Sequence, residues 1–252
     1  MKLTYKFNYK DKTNKLIELC QISKNLYNQA NYIIKQELDN NHKWIRYNQL
    51  NEIMKQTKNL EGNINYKLLK IQTSQQILKQ LDKNWISYFK AIKDWKNHKD
   101  KYKGMPKPPK FLSKNDLYLL IYTNQNSKIK NNKLYLDKKY FIQIPDYKGK
   151  DFTKYQQIRI LPKEHNLFEI EIIYEQEIKN ADLDYNKCAG IDIGINNLIT
   201  LVSEYNPILF NGKILKSYNQ FYNKRKANLC SIKDKMNIRK YTKLLNKLER
   251  NR

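Results

Sequence analysis

The apolar pattern of this chain changes period twice, and those changes limit what it can fold into. Leu3, Tyr5, Phe7 and Tyr9 alternate with Lys2, Thr4, Lys6 and Asn8, the period of two of a half-buried strand. From Asp11 to Asn40 apolar residues fall at Leu16, Leu19, Ile22, Leu26, Ala30, Ile33, Ile34 and Leu38. That is helical spacing, with Asp11 or Thr13 as the expected N-cap. A shorter helix is predicted over Asn48–Lys58. A long one is predicted from about Leu68 to His98, with Ile77, Leu78, Leu81, Trp85, Tyr88, Phe89, Ile92 and Trp95 on one core-facing side. Lys103–Lys114 (KGMPKPPKFLSK) ends it: three prolines, a glycine and four lysines make a stiff, basic, extended connector. Period two then returns in Leu117–Asn124, Lys128–Leu136, Tyr140–Pro145, Gln156–Leu161 and Asn166–Glu175. The pattern is α+β: a small antiparallel barrel or curled sheet into which the first strand pairs back, with the helices as an insertion.

Composition narrows the class. The 252 residues hold 49 Lys and Arg against 24 Asp and Glu, a net charge of +25. A hydrophobic share of 40% excludes global disorder. The longest apolar runs are as short as Leu117–Tyr122, too short for a membrane-spanning helix. The opening MKLTYKFNYKDK lacks the apolar core of a signal peptide, so a cytoplasmic location is expected. Cys20, Cys188 and Cys230 form no CxxC pair, and with only His42, His98 and His165 beside them no zinc is expected. Abundant Lys, Asn, Ile and Tyr fit A/T-rich codons, but codon bias does not explain a twofold excess of bases over acids. That excess points to a polyanionic partner, nucleic acid before any membrane surface.

In the last of these strands Phe168, Ile170, Ile172 and Tyr174 share one face; Glu169, Glu171 and Glu175 lie on the other, expected to be solvated. Lys179–Lys187 reads as a polar linker in which Asp182 and Asp184 are linker acids. A second domain then opens with Gly190-Ile191-Asp192-Ile193-Gly194. Ile191 and Ile193 are expected to point into a core, with Asp192 on the opposite face of a strand. Flanking glycines would let a phosphate or hydrated metal come close, and a carboxylate there suits Mg²⁺. Asn197–Ser203 is a second strand after a tight turn at Gly194–Asn196, and Pro207–Phe210 a third. Asn211-Gly212-Lys213 is a turn, and Leu215–Arg252 reads as one long basic helix; Lys213–Arg252 carries 13 Lys and Arg against Asp234 and Glu249. Three antiparallel strands with an acid on the first, then a helix, is how an RNase H-like nuclease fold opens.

With these residues in view the chain resembles the TnpB/OrfB-type insertion-sequence proteins, a "transposase" family of RNA-guided DNA endonucleases similar to the ancestors of type V CRISPR nucleases. The carrying residues are Gln75-Gln76-Ile77-Leu78-Lys79-Gln80-Leu81-Asp82 with Trp85, and Gly104-Met105-Pro106-Lys107-Pro108-Pro109-Lys110-Phe111. The Gly190–Gly194 motif follows with Asn197-Leu198, then Phe210-Asn211-Gly212-Lys213 with Leu215-Lys216-Ser217 and Asn219-Gln220. No single motif is specific; their order and spacing across the whole chain are.

The resemblance implies a wedge-like β-barrel from residues 1–10 and 112–180. It implies a helical recognition insertion with a helix-turn-helix look at 11–103, a basic connector at 104–111, and the amino-terminal part of a RuvC-like nuclease domain at 186–252. Asp192 would be the first catalytic and metal-binding aspartate, joined in the family by a Glu and a second Asp to hold two Mg²⁺ ions roughly 4 Å apart. Guide RNA and target DNA would be the partners. Lys107, Lys110, Lys213, Lys216, Lys224 and Arg225 are the candidate contacts. After Asp192 the only acids are Glu204, Asp234 and Glu249, none placed to complete the metal site. The expectation is a RuvC-like domain incomplete within this chain, without the zinc ribbon and inactive in cleavage alone. Mg²⁺ would bind only if the missing carboxylates were supplied, for example by a separately encoded carboxy-terminal fragment. The competing readings are a stand-alone basic RNA-binding protein or repressor without nuclease ancestry, and a protein-interaction module whose charge reflects composition alone.

Overall fold

The computed structural model describes residues 1–137, 140–145, 151–163, 166–177, 184–236 and 239–250. The chain divides into two compact units, Met1–Ile178 and Lys179–Arg252. Both mix helix with antiparallel sheet.

In the first unit β1 (Lys2–Lys10), β2 (Leu120–Thr123), β6 (Tyr155–Pro162) and β7 (Leu167–Glu175) form a sheet ordered β1-β7-β6-β2. β1 pairs with β7 along its whole length, Phe7 opposite Ile170. Phe168, Ile170, Ile172 and Tyr174 are buried, as their alternation requires. The opposite face departs from expectation. Glu171 is only 7% exposed, covered by the side chains that pair with it: Lys6 reaches both Glu169 and Glu171, Arg159 reaches Glu171 and Lys163 reaches Glu169. Those glutamates neutralise cross-strand bases rather than meeting bulk water.

β3 (Lys128–Lys130), β4 (Lys133–Tyr135) and β5 (Phe141–Gln143) form a separate three-stranded sheet. The single strand expected over Lys128–Leu136 is thus a hairpin. Asn131 and Asn132, at φ 50° and 56°, turn it, the left-handed pair that a two-residue turn demands. No closed barrel forms among the described residues. The four-stranded sheet ends on β1 and β2, and strands of three residues that pair locally do not carry hydrogen bonding round a ring.

Between β1 and β2 lie α1 (Lys15–Asn41), α2 (Tyr47–Met54) and α3 (Ile71–Asn97). The residue before α1 is Asn14, which offers no side-chain cap. Asp11 does that work from further back: its carboxylate accepts the Leu16 N–H at 2.7 Å and both the N–H and the hydroxyl of Thr13. Leu16, Leu26, Ala30 and Ile34 of α1 and Ile77, Leu78 and Leu81 of α3 are fully buried. Each such Leu or Ile contributes about 1.5–3 kcal/mol against exposure. Asp82 is buried beside Arg46, which donates to it from Nε at 3.0 Å and from a terminal nitrogen at 3.3 Å. Among the described residues no helix is long and apolar enough to cross a membrane.

The second unit holds β8 (Gly190–Ile193), β9 (Asn197–Val202) and β10 (Ile208–Asn211), a sheet ordered β10-β9-β8, then α4 (Lys213–Met236) and α5 (Arg239–Arg250). Where one helix was expected there are two. They pack on each other, with Lys226 of α4 bonded to Glu249 of α5 at 2.6 Å and Leu229 facing Leu244 and Leu248. Folding back gives the apolar stripe of α5 a partner that a single straight helix would leave in water. The expected core under β8 is not there: Ile191 is 60% and Ile193 77% exposed, because no described element covers that sheet. Of the linker expected at 179–187, only residues 184–187 lie within the described chain, where Asp184 accepts the Asn186 N–H and pairs with Lys187.

Candidate nucleic-acid interface

The proline-rich connector is not a free tether. One line of α1 side chains straps its backbone down. Asn31 Nδ2 donates to Pro109 O at 3.1 Å, and Asn28 bonds both the N–H and the carbonyl of Leu112. Lys24 Nζ donates to Lys114 O at 2.7 Å and Ser23 Oγ to Leu119 O at 2.8 Å. Asn31 is fully buried, and its Oδ1 also accepts the Trp85 indole N–H from α3 at 3.0 Å. Prolines lack the donors to join a sheet, so the polar side chains of α1 supply the partners that this extended backbone needs. Sequence reasoning missed this strap. Its signal was Ser23, Lys24, Asn28 and Asn31, polar residues at helical spacing beside the apolar stripe of α1.

Strapping turns the connector's lysines outward. Lys107 and Lys110 are exposed; Lys107 borders a groove lined by Tyr27, Tyr88 and Pro109, and Lys35 lies over the Phe111 ring at 4.2 Å. On α3, Lys83, Lys90 and Lys93 are exposed on the side away from buried Leu81 and Trp85. From Lys83 to Lys110 there are nine lysines and two aspartates, Asp94 and Asp100. Asp94 is already engaged: the Tyr102 hydroxyl and then His98 hold its carboxyl below the ordinary aspartate value. On the sheet face, by contrast, Glu169 and Glu171 are paired with lysines. A dense run of exposed lysines thus lies on the outer side of α3 and the connector, interleaved with Tyr88, Trp95 and Tyr102.

In the second unit Asp192 stands on β8 opposite Thr200 of β9, exposed and without an ion pair to any described residue. The glycines around it play different parts. A Cβ on Gly190 would meet nothing closer than Val202 O at 4.0 Å, so that side of the strand is open. A Cβ on Gly194 would lie 2.8 Å from Asn197 O, so Gly194 serves the β8–β9 turn. Gly212 is tighter still, with Ile195 O at 2.8 Å and Asn196 O at 3.1 Å from its missing Cβ. Around it Asn211 Oδ1 accepts the Lys213 N–H that opens α4, and Lys216 Nζ donates to Asn196 Oδ1, both at 2.9 Å. Lys216 thus ties α4 to the β8–β9 turn. Lys213, Lys224 and Arg225 are exposed, with Arg225 also lining the α4–α5 groove.

The described residues do not fit a pair of Mg²⁺ ions. Such a site needs several carboxylates together, and among the described residues no three of His, Cys, Asp and Glu gather to hold a metal. Asp192 can give one ligand, and no step through a metal follows from it.

The second unit thus sets an exposed aspartate on the first strand of an antiparallel sheet that is followed by basic helices. Residues 171–252 match the OrfB_IS605 family, described as "Probable transposase". That stretch runs from within β7 through the whole second unit, and over it the chain is similar to the TnpB-type transposases. No curated protein matches it. Two solved structures are similar. One is a CRISPR-Cas12f ternary complex, at 13% identity and a TM-score of 0.37, covering 94% of this chain and 58% of that one. The other is a Cas12f1–sgRNA–target DNA complex, at 13% identity and 0.29, covering 99% of this chain and 66% of that one. The chain thus spans about three-fifths to two-thirds of the length of those proteins, and overlap this loose decides neither fold nor activity.

Proposed function

We propose that this chain is the nucleic-acid-binding part of a TnpB-type transposase, an RNA-guided system with a guide RNA and a target DNA as its partners. The observation that carries the reading is the segregation of charge. Asp82, Glu169 and Glu171 are held by the bases around them, while the nine lysines from Lys83 to Lys110, against two aspartates, are left exposed along one helix and a backbone strapped to its neighbour. A rigid row of ammonium groups suits a phosphate backbone, and the aromatic rings between them suit bases. The second unit is read as the opening of an RuvC-like nuclease domain. There Asp192 supplies one metal ligand to a centre completed by carboxylates from elsewhere, and Lys213, Lys224 and Arg225 lie along the nucleic acid.

The test is a salt titration of RNA and DNA binding by the full chain. Neutralising about six phosphates requires affinity to fall roughly a thousandfold between 50 and 200 mM salt. Replacing Lys83, Lys90, Lys93 and Lys107 by Gln should flatten that slope. A response that ignores salt, or a slope unchanged in the quadruple variant, would sink the reading.

A further inference from the structure

A cleft of about 910 Å³ opens in the first unit between the start of α3, the turn joining β2 to β3, and strands β4 and β6. Its size is that of a small-ligand site, for which roughly 300–1,000 Å³ is usual. The lining is not that of an apolar ligand pocket. The β2–β3 turn presents the amides of Asn124 and Gln125; both residues are exposed, and Gln125 Oε1 already accepts from Gln72 Nε2, so its NH2 is the group offered to a base.

The wall behind them is built and held. Asn126 Oδ1 accepts the Thr123 N–H at 2.7 Å, its Nδ2 donates to Thr73 Oγ1 at 3.0 Å, and its carbonyl accepts from Lys70 Nζ at 2.8 Å. On the far side the Tyr155 hydroxyl donates to Ser127 O at 2.7 Å. Four elements are thereby fixed around one space, more order than a surface turn needs.

The entrance carries an aromatic ledge. Tyr135, in the lining, lies with its ring 5.7 Å from that of Phe141, which is 43% exposed and has Lys133 Nζ 4.4 Å over it. Exposed Lys128 lies on the same rim. Of the two acids in the lining, Glu175 is bonded by Gln156 and paired with Lys2.

A ring ledge, paired donors and acceptors on side-chain amides, and a cation at one edge match the three parts of a nucleotide. The rings stack on a base, amides read its hydrogen-bonding edge, and lysine meets its phosphate. A base pair inside a duplex offers neither a free face nor a free Watson–Crick edge. We propose that this cleft takes one unpaired nucleotide of a bound single strand. The base would rest on Tyr135, its edge would meet the amides of Asn124 and Gln125, and its phosphate would lie at Lys128. This rests on the nucleic-acid reading above and adds to it a place where sequence, and not only charge, is read.

The experiment uses the full chain with short labelled single-stranded RNA, single-stranded DNA and a duplex of equal length, each also carrying a photoreactive thiopyrimidine. Tyr135→Ala should weaken single-strand binding about tenfold, in line with the worth of one stacked base. It should leave duplex binding and the salt slope unchanged. Crosslinks to the single strand should map to the β2–β3 turn or to β4. If Tyr135→Ala does not fold, Asn124→Ala, which removes an exposed side chain only, carries the same comparison, and Lys128→Gln should weaken the single strand with a small fall in the salt slope. Wild-type protein that binds no nucleic acid overturns both readings. Wild-type binding that is equally strong in these variants, with crosslinks only on α3 and the connector, overturns the cleft alone. Which single strand is weakened, RNA or DNA, identifies the strand that enters.

Discussion

Asn28 and Leu112 exchange two hydrogen bonds: Asn28 Nδ2 donates to the Leu112 carbonyl and the Leu112 N–H donates to Asn28 Oδ1, each at 2.9 Å. One side-chain amide thus does for a lone extended segment what a neighbouring strand does in a sheet. Asn28→Ala orphans both groups in a half-buried position, and we expect a loss of about 1–3 kcal/mol. The check is the urea midpoint together with exchange of the Leu112 amide. An unchanged midpoint and a still-protected Leu112 would show that the connector is held by something else.

The two units should differ in local stability. The sheet of the second unit leaves Ile191, Ile193 and Leu209 in water, whereas α3 buries Ile77, Leu78 and Leu81 completely. Amides buried under few apolar contacts open first. Hydrogen exchange should therefore be fast in β8–β10 and slow around Trp85. Equal protection in both would mean that the sheet is covered in solution, for instance by self-association.

Gly212→Ala should damage the second unit alone. The new methyl would meet backbone atoms, Ile195 O at 2.8 Å and Leu198 N at 3.2 Å, which cannot swing aside as a flexible side chain would. A cost of about 1–3 kcal/mol follows from such overpacking. Faster exchange in Asn197–Val202, with the first unit unaffected, is the expected signature; a silent substitution would contradict the close approach.

Alkali should unfold the first unit through its phenols. Burial pushes Tyr118 and Tyr122 above the usual tyrosine value of 10, and the neighbouring Tyr27 and Cys20 respectively add to it. The folded state keeps them neutral while the unfolded chain ionises. Their contribution is therefore complete below pH 10 and is lost as the pH rises above it toward the folded-state values. Tyrosinate absorbance from these residues should appear together with loss of far-ultraviolet dichroism, and Tyr122→Phe should move that transition to higher pH. Ionisation of both phenols with the fold intact would contradict their burial.

Asp192→Asn should leave the fold alone. The side chain is exposed and has no charged partner among the described residues, and substitutions of that kind stay within about 0.5 kcal/mol. Any Mg²⁺-dependent nicking obtained from a preparation containing this chain should vanish in the variant while its melting temperature holds. Nicking that survives would remove Asp192 from the chemistry.

How far the fold was legible depended on whether the deciding contacts were local. Helix and strand periods are written every two to four residues, so α1, α3 and β7 could be read directly, and so could the buried face of β7 through Phe168, Ile170 and Ile172. The hairpin at Asn131–Asn132 was missed because two left-handed residues interrupt a period that otherwise runs on. The break between α4 and α5 was missed for the opposite reason: the sequence there, Met236-Asn237-Ile238-Arg239, holds neither proline nor glycine. Burial of Glu171 could not be seen, since it depends on Lys6 and Arg159 arriving from other strands. At the candidate site the lysines were visible as composition. What orients Lys107 and Lys110 was hidden in Ser23, Lys24, Asn28 and Asn31, whose partners lie far along the chain. Lys216 looked like its neighbours, and only its bond to Asn196 separates it from them.

The pairing of β1 with β7 also sets the order in which this protein can assemble. The Met1 ammonium donates to the Gln176 carbonyl, 175 positions away, and the two strands between them match residue for residue from Lys2 to Lys10. A ribosome adding roughly 5–20 residues per second leaves β1 waiting on the order of ten to thirty seconds for its mate to emerge. Throughout that interval Leu3, Tyr5, Phe7 and Tyr9 form a nascent strand with no neighbour, the kind of segment that chaperones retain or that pairs with a second copy. The contacts among α1, α2, α3 and the strapped connector need only residues up to Leu119, which emerge well before then. Synthesis would thus present the lysine-bearing helices first and close the four-stranded sheet last.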